Sequence, residues 1–145
     1  PRKLPDRSIL ISATEKAATI TSNSPTAILL GARASAIMNE DGQISESTTE
    51  ASGLDFSGVG PEVTYLAKTG RIQFRATTDL DAQKTFQMMT RKVGILPAIE
   101  PCFMIHAALE EIKKRKNPSQ NHLLHLCGSG ESNVARQLQF KKDNE

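Results

Sequence analysis

The sequence has 145 residues, a length that suits a single domain burying about two-thirds of its extended surface. Hydrophobic residues make up 38% of it and aromatic residues 4%, with no tryptophan, so the core must rely on aliphatic side chains, as thin α/β layers do. A formal net charge of +2 is too small to indicate a nucleic-acid or membrane partner.

The cysteines and the apolar runs indicate the cellular compartment of the protein. Cys102 and Cys127 are the only cysteines, and their spacing matches neither a zinc site nor a disulfide framework. The longest apolar run, residues 27–30, is far too short to span a membrane, and no signal-peptide pattern precedes it. We therefore predict a soluble, cytoplasmic protein. Position 1 is proline, which fits either a trimmed initiator or a fragment of a longer chain.

The first part of the chain is extended and rich in turns. Residues 1–12 form an extended, unassigned segment that contains an apolar run of strand type at residues 8–11. Periodicity leaves residues 34–39 open between strand and helix. The Asp41-Gly42 pair is the strongest short hairpin signal in the sequence, and it predicts two antiparallel strands around it.

A loop rich in glycine follows at residues 53–62. Three glycines and a proline in these ten residues exclude the interior of a helix or strand. Asp55 and Phe56 lie side by side in the loop, and Pro61-Glu62 resembles the first turn of a helix. A plain connection is the simplest interpretation, and a shaped binding loop is the alternative.

Helix and strand patterns alternate beyond this loop. Residues 61–68 predict a short helix that ends before Gly70, and residues 71–77 alternate polar and apolar side chains as a strand does. Residues 78–81 resemble a capping box that opens a second helix, which Gly94 closes. The buried face of this helix is predicted to carry Ala82, Phe86, Met89 and Val93.

The last part of the chain predicts a longer helix and a final strand. Glu100 and Pro101 suit the start of a helix that runs to residue 116. Residues 122–127 predict a strand that turns sharply at residues 128–130. The alternation favours an α/β fold, a layered domain with a mostly parallel sheet flanked by helices. The long helix is predicted to bury Met104, Ile105, Ala108, Leu109 and Ile112.

Several stretches of the sequence together resemble the β chain of tryptophan synthase, a family of fold-type II enzymes that use pyridoxal phosphate (PLP). They fall in the family's order and at its spacing between Ala13 and Phe140. The resemblance implies that residues 13–145 are the C-terminal portion of such a chain. The matching stretches are Asn39-Glu40-Asp41-Gly42-Gln43-Ile44, Gly53-Leu54-Asp55-Phe56-Ser57-Gly58-Val59-Gly60-Pro61-Glu62, Tyr65-Leu66, Gly70-Arg71, Gly94-Ile95-Leu96-Pro97-Ala98-Ile99-Glu100 and Leu126-Cys127-Gly128-Ser129-Gly130.

The resemblance also implies roles for single residues. Glu100 matches the family's glutamate beside the cofactor ring, and Asp55 matches the aspartate that closes over the substrate, so both are candidate catalytic residues. Cys127, followed by Gly128, matches the position that hydrogen-bonds the pyridine nitrogen of PLP. The family has serine there, and a thiol is a weaker hydrogen-bonding group. Without the resemblance, Glu100 would be interpreted as a helix cap and Cys127 as a small residue packing a strand end.

A monovalent cation is a further implied ligand. Phe56 and Gly58 match positions whose backbone carbonyls hold such an ion in the family. Gly58 replaces the usual serine, but a carbonyl ligand does not depend on the side chain. Around the turn at residues 128–130, the family's charged residues are replaced by Ser129 and residues 131–133. This departure removes charged groups that form salt bridges when the family's loop closes.

Two features of the family have no match in this sequence, namely the motif of the lysine that binds PLP covalently and the glycine-rich cradle for its phosphate. The chain therefore resembles one wall of an active site, and we predict that it is inactive alone. The implied partners are the N-terminal portion of the β chain, a second β chain in a dimer, and the tryptophan synthase α chain.

The leading hypothesis is thus a portion of a tryptophan synthase β chain, whose family joins L-serine and indole by PLP-dependent β-replacement to give L-tryptophan. The alternative is a non-catalytic remnant, or a partner-binding fragment of the same fold. A third hypothesis, a basic interaction module, rests on residues 113–116 alone. For that cluster we favour a role opposite the negative end of a helix.

Overall fold

The structure is a computed structural model that describes residues 10–11, 20, 24–115 and 121–143. Helices and short strands are mixed along these residues, which confirms the prediction of both element types. The helices are Pro61–Lys68 (α1), Asp79–Met88 (α2), Ile99–Arg115 (α3) and Val134–Asp143 (α4). The strands are Leu10–Ile11 (β1), Thr26–Leu29 (β2), Ala32–Ser35 (β3) and Gln73–Phe74 (β4).

The strands form two small sheets. β1 pairs with β4 in parallel, and β2 pairs with β3 antiparallel. A mostly parallel sheet is therefore not seen within the described residues. β1 is the described part of the predicted strand at residues 8–11, and the rest of the extended segment 1–12 lies outside the described residues. The strand predicted over residues 71–77 is only β4.

A tight turn joins β2 to β3. Leu30 and Gly31 both adopt positive φ, at 50° and 78°, which suits the right-handed twist of a two-residue hairpin. The local sequence does not predict this hairpin, because leucine is not a typical residue for the left-handed region. Leu30 is also 99% exposed, so the turn places an apolar side chain in solvent.

The turn predicted at Asp41-Gly42 is present, but its strands are shorter than expected. Gly42 has φ +75°, and the amide of Asn39 donates to the carbonyl of Gln43 at 2.9 Å. The pairing beyond the turn is a single antiparallel bridge between Met38 and Ile44.

α1 and α2 begin where the sequence predicts. α1 starts at Pro61, and Gly70, at φ +71°, lies just beyond its end. The Thr78 hydroxyl accepts a hydrogen bond from the amide of Asp81 at 3.1 Å and so caps the first turn of α2. Both signals were local, which is why they could be read from the sequence.

The end of the second helix differs from the prediction. A π-helical turn, Met89–Val93, follows α2 and changes the rotation of successive side chains. Val93 is 54% exposed, so its predicted place on the buried face was wrong, whereas Ala82, Phe86 and Met89 are buried. Gly94 closes the turn with φ +73°, as predicted.

α3 packs on α2 and has more buried residues than the other described helices. Of its predicted stripe, Ile105 and Ala108 are buried, while Met104, Leu109 and Ile112 are only half-buried. The buried face lies further toward the start of the helix than predicted, because α2 and the glycine loop cover that end. The central cluster is Ala51, Ala82, Phe86, Ile99, Cys102 and Phe103, with Leu54 and Leu96 against it.

The strand predicted over residues 122–127 was wrong. Residues 121–127 have no regular structure, and none of them pairs with another described segment. A strand needs a neighbour to accept and donate its backbone hydrogen bonds, and apolar periodicity alone does not supply one. Leu123 is 98% exposed as a result.

Candidate functional site

The glycine loop is held against the end of β3. The amide of Ile37 donates to the carbonyl of Ser57 at 2.8 Å, and the amide of Val59 donates to the carbonyl of Ser35 at 3.0 Å. A Cβ atom at Gly58 would lie 2.5 Å from the Leu29 side chain and 3.1 Å from the Ser35 carbonyl. Glycine at this position therefore permits the close approach of loop and hairpin.

Glu100 lies in the first turn of α3 and contacts the start of the same loop. Its Oε1 atom accepts a hydrogen bond from the amide of Gly53 at 3.2 Å. A Cβ atom at Gly53 would lie 3.1 Å from both Cγ and Oε1 of Glu100, so a larger residue at position 53 would require the carboxylate to shift by a few tenths of an ångström. The carboxylate of Glu100 is thereby tied to the loop.

The turn at residues 128–130 is paired with the segment that leads into α3. The amide of Ala98 donates to the carbonyl of Gly128 at 3.3 Å, and the amide of Gly130 donates to the carbonyl of Leu96 at 3.0 Å. Gly128 has φ +96°, a conformation that favours glycine. A Cβ atom at Gly130 would overlap the carbonyl of Pro97 and lie 2.8 Å from the Phe86 ring.

The two cysteines differ sharply in environment. Cys102 is fully buried and donates its thiol hydrogen to the carbonyl of Ala98 at 3.2 Å. Burial, and then the nearby negative charge of Glu100, raise the pKa of Cys102 to about 12, so it stays a neutral thiol. Cys127 is exposed, next to the turn that pairs with Ala98, which leaves its thiol accessible to a ligand.

The remaining predicted site residues lie on the loop itself. Asp55 ends a short 3₁₀ turn, Ser52–Leu54, and is exposed, and Phe56 is 66% exposed. The hydrogen bonds to the end of β3 use the carbonyl of Ser57 and the amide of Val59, not the carbonyls of Phe56 and Gly58. Those two carbonyls are the ones that the resemblance assigns to a cation.

Residues 96–100 contact both the glycine loop and the turn at residues 128–130. The glycine loop reaches them through Gly53, and the turn after Cys127 reaches them through Ala98. Gly53 was part of the quoted motif, but its role in holding Glu100 was missed, because a contact 47 residues apart leaves no local signal. A cavity of about 160 Å³ lies elsewhere, between α2 and α4, and no predicted site residue lines it.

Two acidic side chains of α3 lie near the basic cluster at its end and partly neutralise it. Lys113 donates to Glu110 at 2.8 Å, and Glu111 lies 3.9 Å from both Lys114 and Arg115. Lys113, Lys114 and Arg115 lie in the last turn of α3, the end of a helix that the favoured structural role requires. The last member of the cluster, Lys116, lies outside the described residues.

The described residues, 10–11, 20, 24–115 and 121–143, contain neither a cluster of metal ligands nor a membrane-spanning helix. No group of three or more histidine, cysteine or acidic side chains there is placed to hold a metal ion. Within the same residues, no helix has the length and apolarity needed to cross a membrane.

Comparison with known proteins identifies the relationship. The chain is 34% identical over 126 residues to the tryptophan synthase beta chain of Allorhizobium ampelinum, a match that covers 86% of this chain. It is 35% identical over 117 residues, or 81% of this chain, to tryptophan synthase of Saccharomyces cerevisiae. It is 36% identical over 107 residues, or 74% of this chain, to the tryptophan synthase beta chain of Afipia carboxidovorans.

The chain is a relative of the tryptophan synthase β chain. The resemblance stated from the motifs is thereby confirmed, although no protein-family model matches the chain. The aligned region spans only 30%, 16% and 26% of the three relatives' own lengths, so the match corresponds to a portion of a tryptophan synthase β chain. Within that portion, the glycine loop and the segment 94–100 are the stretches that the Gly53–Glu100 hydrogen bond connects.

Proposed function

We propose that this chain forms one wall of a tryptophan synthase β active site, in which L-serine and indole are joined by PLP-dependent β-replacement to give L-tryptophan. The observation that carries the proposal is the hydrogen bond from the amide of Gly53 to Glu100. It joins the glycine loop to the start of α3, so two separate motifs of the resemblance meet at one carboxylate. The names of the three relatives support the activity.

Two residues of this chain fit the PLP ring. Cys127 is exposed, so its thiol is free to hydrogen-bond the pyridine nitrogen. Glu100 is held at the start of α3, where the positive end of the helix dipole favours a negative charge. PLP, when bound, supplies a ring that withdraws electrons from the substrate's α-carbon. The covalent lysine and the phosphate cradle have no counterpart in this sequence and would come from another portion of the assembled enzyme.

Different groups of this chain would position the cofactor ring, orient the substrate and bind the cation. The Gly53 amide fixes the Glu100 carboxylate, so that its negative charge keeps one position beside the ring. Asp55, exposed on the glycine loop, would orient the amino-acid portion of the substrate. The carbonyls of Phe56 and Gly58 would hold a monovalent cation and thereby stiffen the loop.

The proposal extends to the assembly. The partners would be the N-terminal portion of the β chain, a second β chain, and the α chain, in the cytoplasm. In the complete protein, the parallel pair of β1 and β4 would belong to the mostly parallel sheet that the resemblance implies.

Reconstitution tests the proposed activity. The chain would be co-expressed with the portion of the Allorhizobium ampelinum β chain that it does not match, and tryptophan formation from serine, indole and PLP would be measured. We expect activity from the pair and none from this chain alone. Glu100→Ala should abolish it, and Cys127→Ser should raise it, because serine is the stronger hydrogen-bonding partner.

The control is Glu110→Ala, a change on the exposed side of α3 that should leave the reconstituted activity unchanged. PLP binding to the pair, followed by fluorescence, separates a loss of cofactor from a loss of chemistry. If the pair assembles but stays inactive with both Cys127 and Ser at that position, the chain is a non-catalytic remnant that binds a partner.

A further inference from the structure

Residues 49–53, which we call the anchor segment, lead into the glycine loop and are bonded to side chains of α2 and α4. Asp79, the first residue of α2, accepts hydrogen bonds on Oδ1 from the hydroxyl of Thr49 at 2.8 Å and from the amide of Glu50 at 3.2 Å. Arg136 of α4 donates to the carbonyl of Glu50 at 3.0 Å, and the same nitrogen lies 3.0 Å from the Glu50 carboxylate. Glu50 is therefore held through both its backbone and its side chain.

The contacts continue along the anchor segment to α3. The amide of Ala51 donates to the hydroxyl of Thr49 at 3.2 Å, and the side chain of Ala51 is fully buried in the central cluster. The amide of Gly53 then donates to Glu100 of α3. Each of the three helices thus supplies one charged side chain to this short segment, so the position of the segment follows from how the helices pack.

The exposed part of the glycine loop is bonded back toward the anchor segment. The amide of Asp55 donates to the carbonyl of Ser52 at 3.3 Å, and the amide of Phe56 donates to the carbonyl of Leu54 at 3.0 Å. Both hydrogen bonds are local, and they connect Asp55 to residues that the helices hold. A shift of the anchor segment would therefore move the Asp55 carboxylate as well.

We propose that Asp79 and Arg136 are positioning residues, which hold the anchor segment so that Asp55 is placed for the amino-acid portion of the substrate. Neither residue belongs to the motifs of the resemblance. The Arg136 side chain is 61% exposed, and an ion pair at such exposure is weak alone, so its hydrogen bond to the Glu50 carbonyl matters as much as its charge. The effect on substrate binding rests on the proposed function, whereas the placement of Asp55 is a property of this chain.

Hydrogen exchange of single amides, followed by NMR in the purified chain, tests the role of Asp79. The reporters are the amides of Gly53 and Asp55, whose own hydrogen bonds go to other residues. In Asp79→Ala both should exchange about fivefold faster, the factor that corresponds to one net hydrogen bond. Asp79→Asn keeps an acceptor oxygen and should leave both rates close to those of the unmodified chain. The amide of Phe103, in the middle of α3, reports global unfolding and should change less than either.

The same reporters test Arg136. Arg136→Met removes the donor, and the two amides should exchange about threefold faster, a smaller factor because the contact is exposed. Arg136→Lys keeps a positively charged donor and should retain most of the protection. Lys142→Met is the matched control, a similar change at an exposed position of the same helix, and it should alter neither rate.

The consequence for the substrate is measured in the reconstituted pair. Asp79→Ala and Arg136→Met should raise KM for L-serine by about three- to fivefold, in line with the exchange rates. The value of kcat should stay close to that of the unmodified pair, because Asp55 orients the substrate before the reaction. Lys142→Met should change neither constant, and Asp79→Asn and Arg136→Lys should restore KM.

The proposal is overturned if the amides of Gly53 and Asp55 respond to Asp79→Ala no more than the amide of Phe103 does. It is also overturned if Asp79→Asn behaves like Asp79→Ala, or if the variants lower kcat and leave KM unchanged. An inactive pair with the unmodified chain refutes the proposed function instead, and the exchange rates then decide whether Asp79 and Arg136 place Asp55.

Discussion

The amide of Gly53 donates a hydrogen bond to Oε1 of Glu100 at 3.2 Å, across 47 residues of sequence. A Cβ atom at residue 53 would lie 3.1 Å from the same carboxylate oxygen, a contact tight enough that the carboxylate would have to shift by a few tenths of an ångström. The position of the glutamate is therefore fixed by a glycine on another element.

Gly53→Ala should weaken this contact. The added methyl group would push the Glu100 carboxylate away, and we expect the free energy of unfolding to fall by about 1 kcal/mol, measured by urea denaturation. In a Glu100→Ala background the same change should cost little, because no carboxylate remains to displace. Equal costs in the two backgrounds would show that the two residues are not coupled.

Gly130→Ala should destabilise the chain more strongly. The new Cβ atom would overlap the rigid carbonyl of Pro97 and press on the ring of Phe86, and overpacking of this kind costs about 1–3 kcal/mol. Gly60→Ser is a suitable control, because nothing lies within 4 Å of a Cβ there and serine also caps a helix well. Superimposable urea curves for Gly130→Ala and the unmodified chain would contradict the close approach.

Thr64→Val should lower the free energy of unfolding, because it removes a buried hydrogen bond between α1 and β3. The Thr64 hydroxyl accepts a hydrogen bond from the amide of Ser35 at 2.8 Å, and both residues are buried. Valine has the same shape but no acceptor. The Ser35 amide is then buried without a partner, which should lower the free energy of unfolding by about 1–3 kcal/mol. Thr64→Ser keeps the acceptor, and it should preserve the slow hydrogen exchange of the Ser35 amide, which Thr64→Val accelerates.

Glu111→Gln should change the pH dependence of stability. Arg75 donates to Glu111 at 2.7 Å, and this hydrogen bond, helped by the charges of Arg75, Lys114 and Arg115, lowers the pKa of Glu111. A carboxyl whose pKa is lower when folded stabilises the fold above its unfolded pKa of about 4.3, and this contribution is lost as pH falls through the folded value.

The difference in unfolding free energy between the unmodified chain and Glu111→Gln should therefore be largest near neutral pH and shrink as the pH falls below about 4.3. Thermal unfolding between neutral and acidic pH measures it. Glu40→Gln, at an exposed position in the turn after Met38, serves as the control. A difference that stays constant down to the most acidic pH would refute the coupling of Glu111 to Arg75.

Local signals were predicted well, and signals that depend on a neighbour were not. Thr78 caps α2 and Gly70 follows α1, because capping is decided within one turn of chain. The prediction of a strand at residues 122–127 was wrong, because a strand forms only against another strand. The prediction that Val93 is buried was wrong, because a π-helical turn that no local pattern indicates places its side chain toward solvent.

The sequence by itself determined the family, the bounds of the capped helices and the motifs around Asp55, Glu100 and Cys127, because these depend on residue identity and spacing along the chain. Only the tertiary structure decided that Gly53 holds Glu100 and that Gly128 pairs with Ala98. It alone buried Oε1 of Gln137 without a hydrogen-bond partner. Contacts between distant residues depend on how whole elements pack, and one sequence carries no local record of that packing.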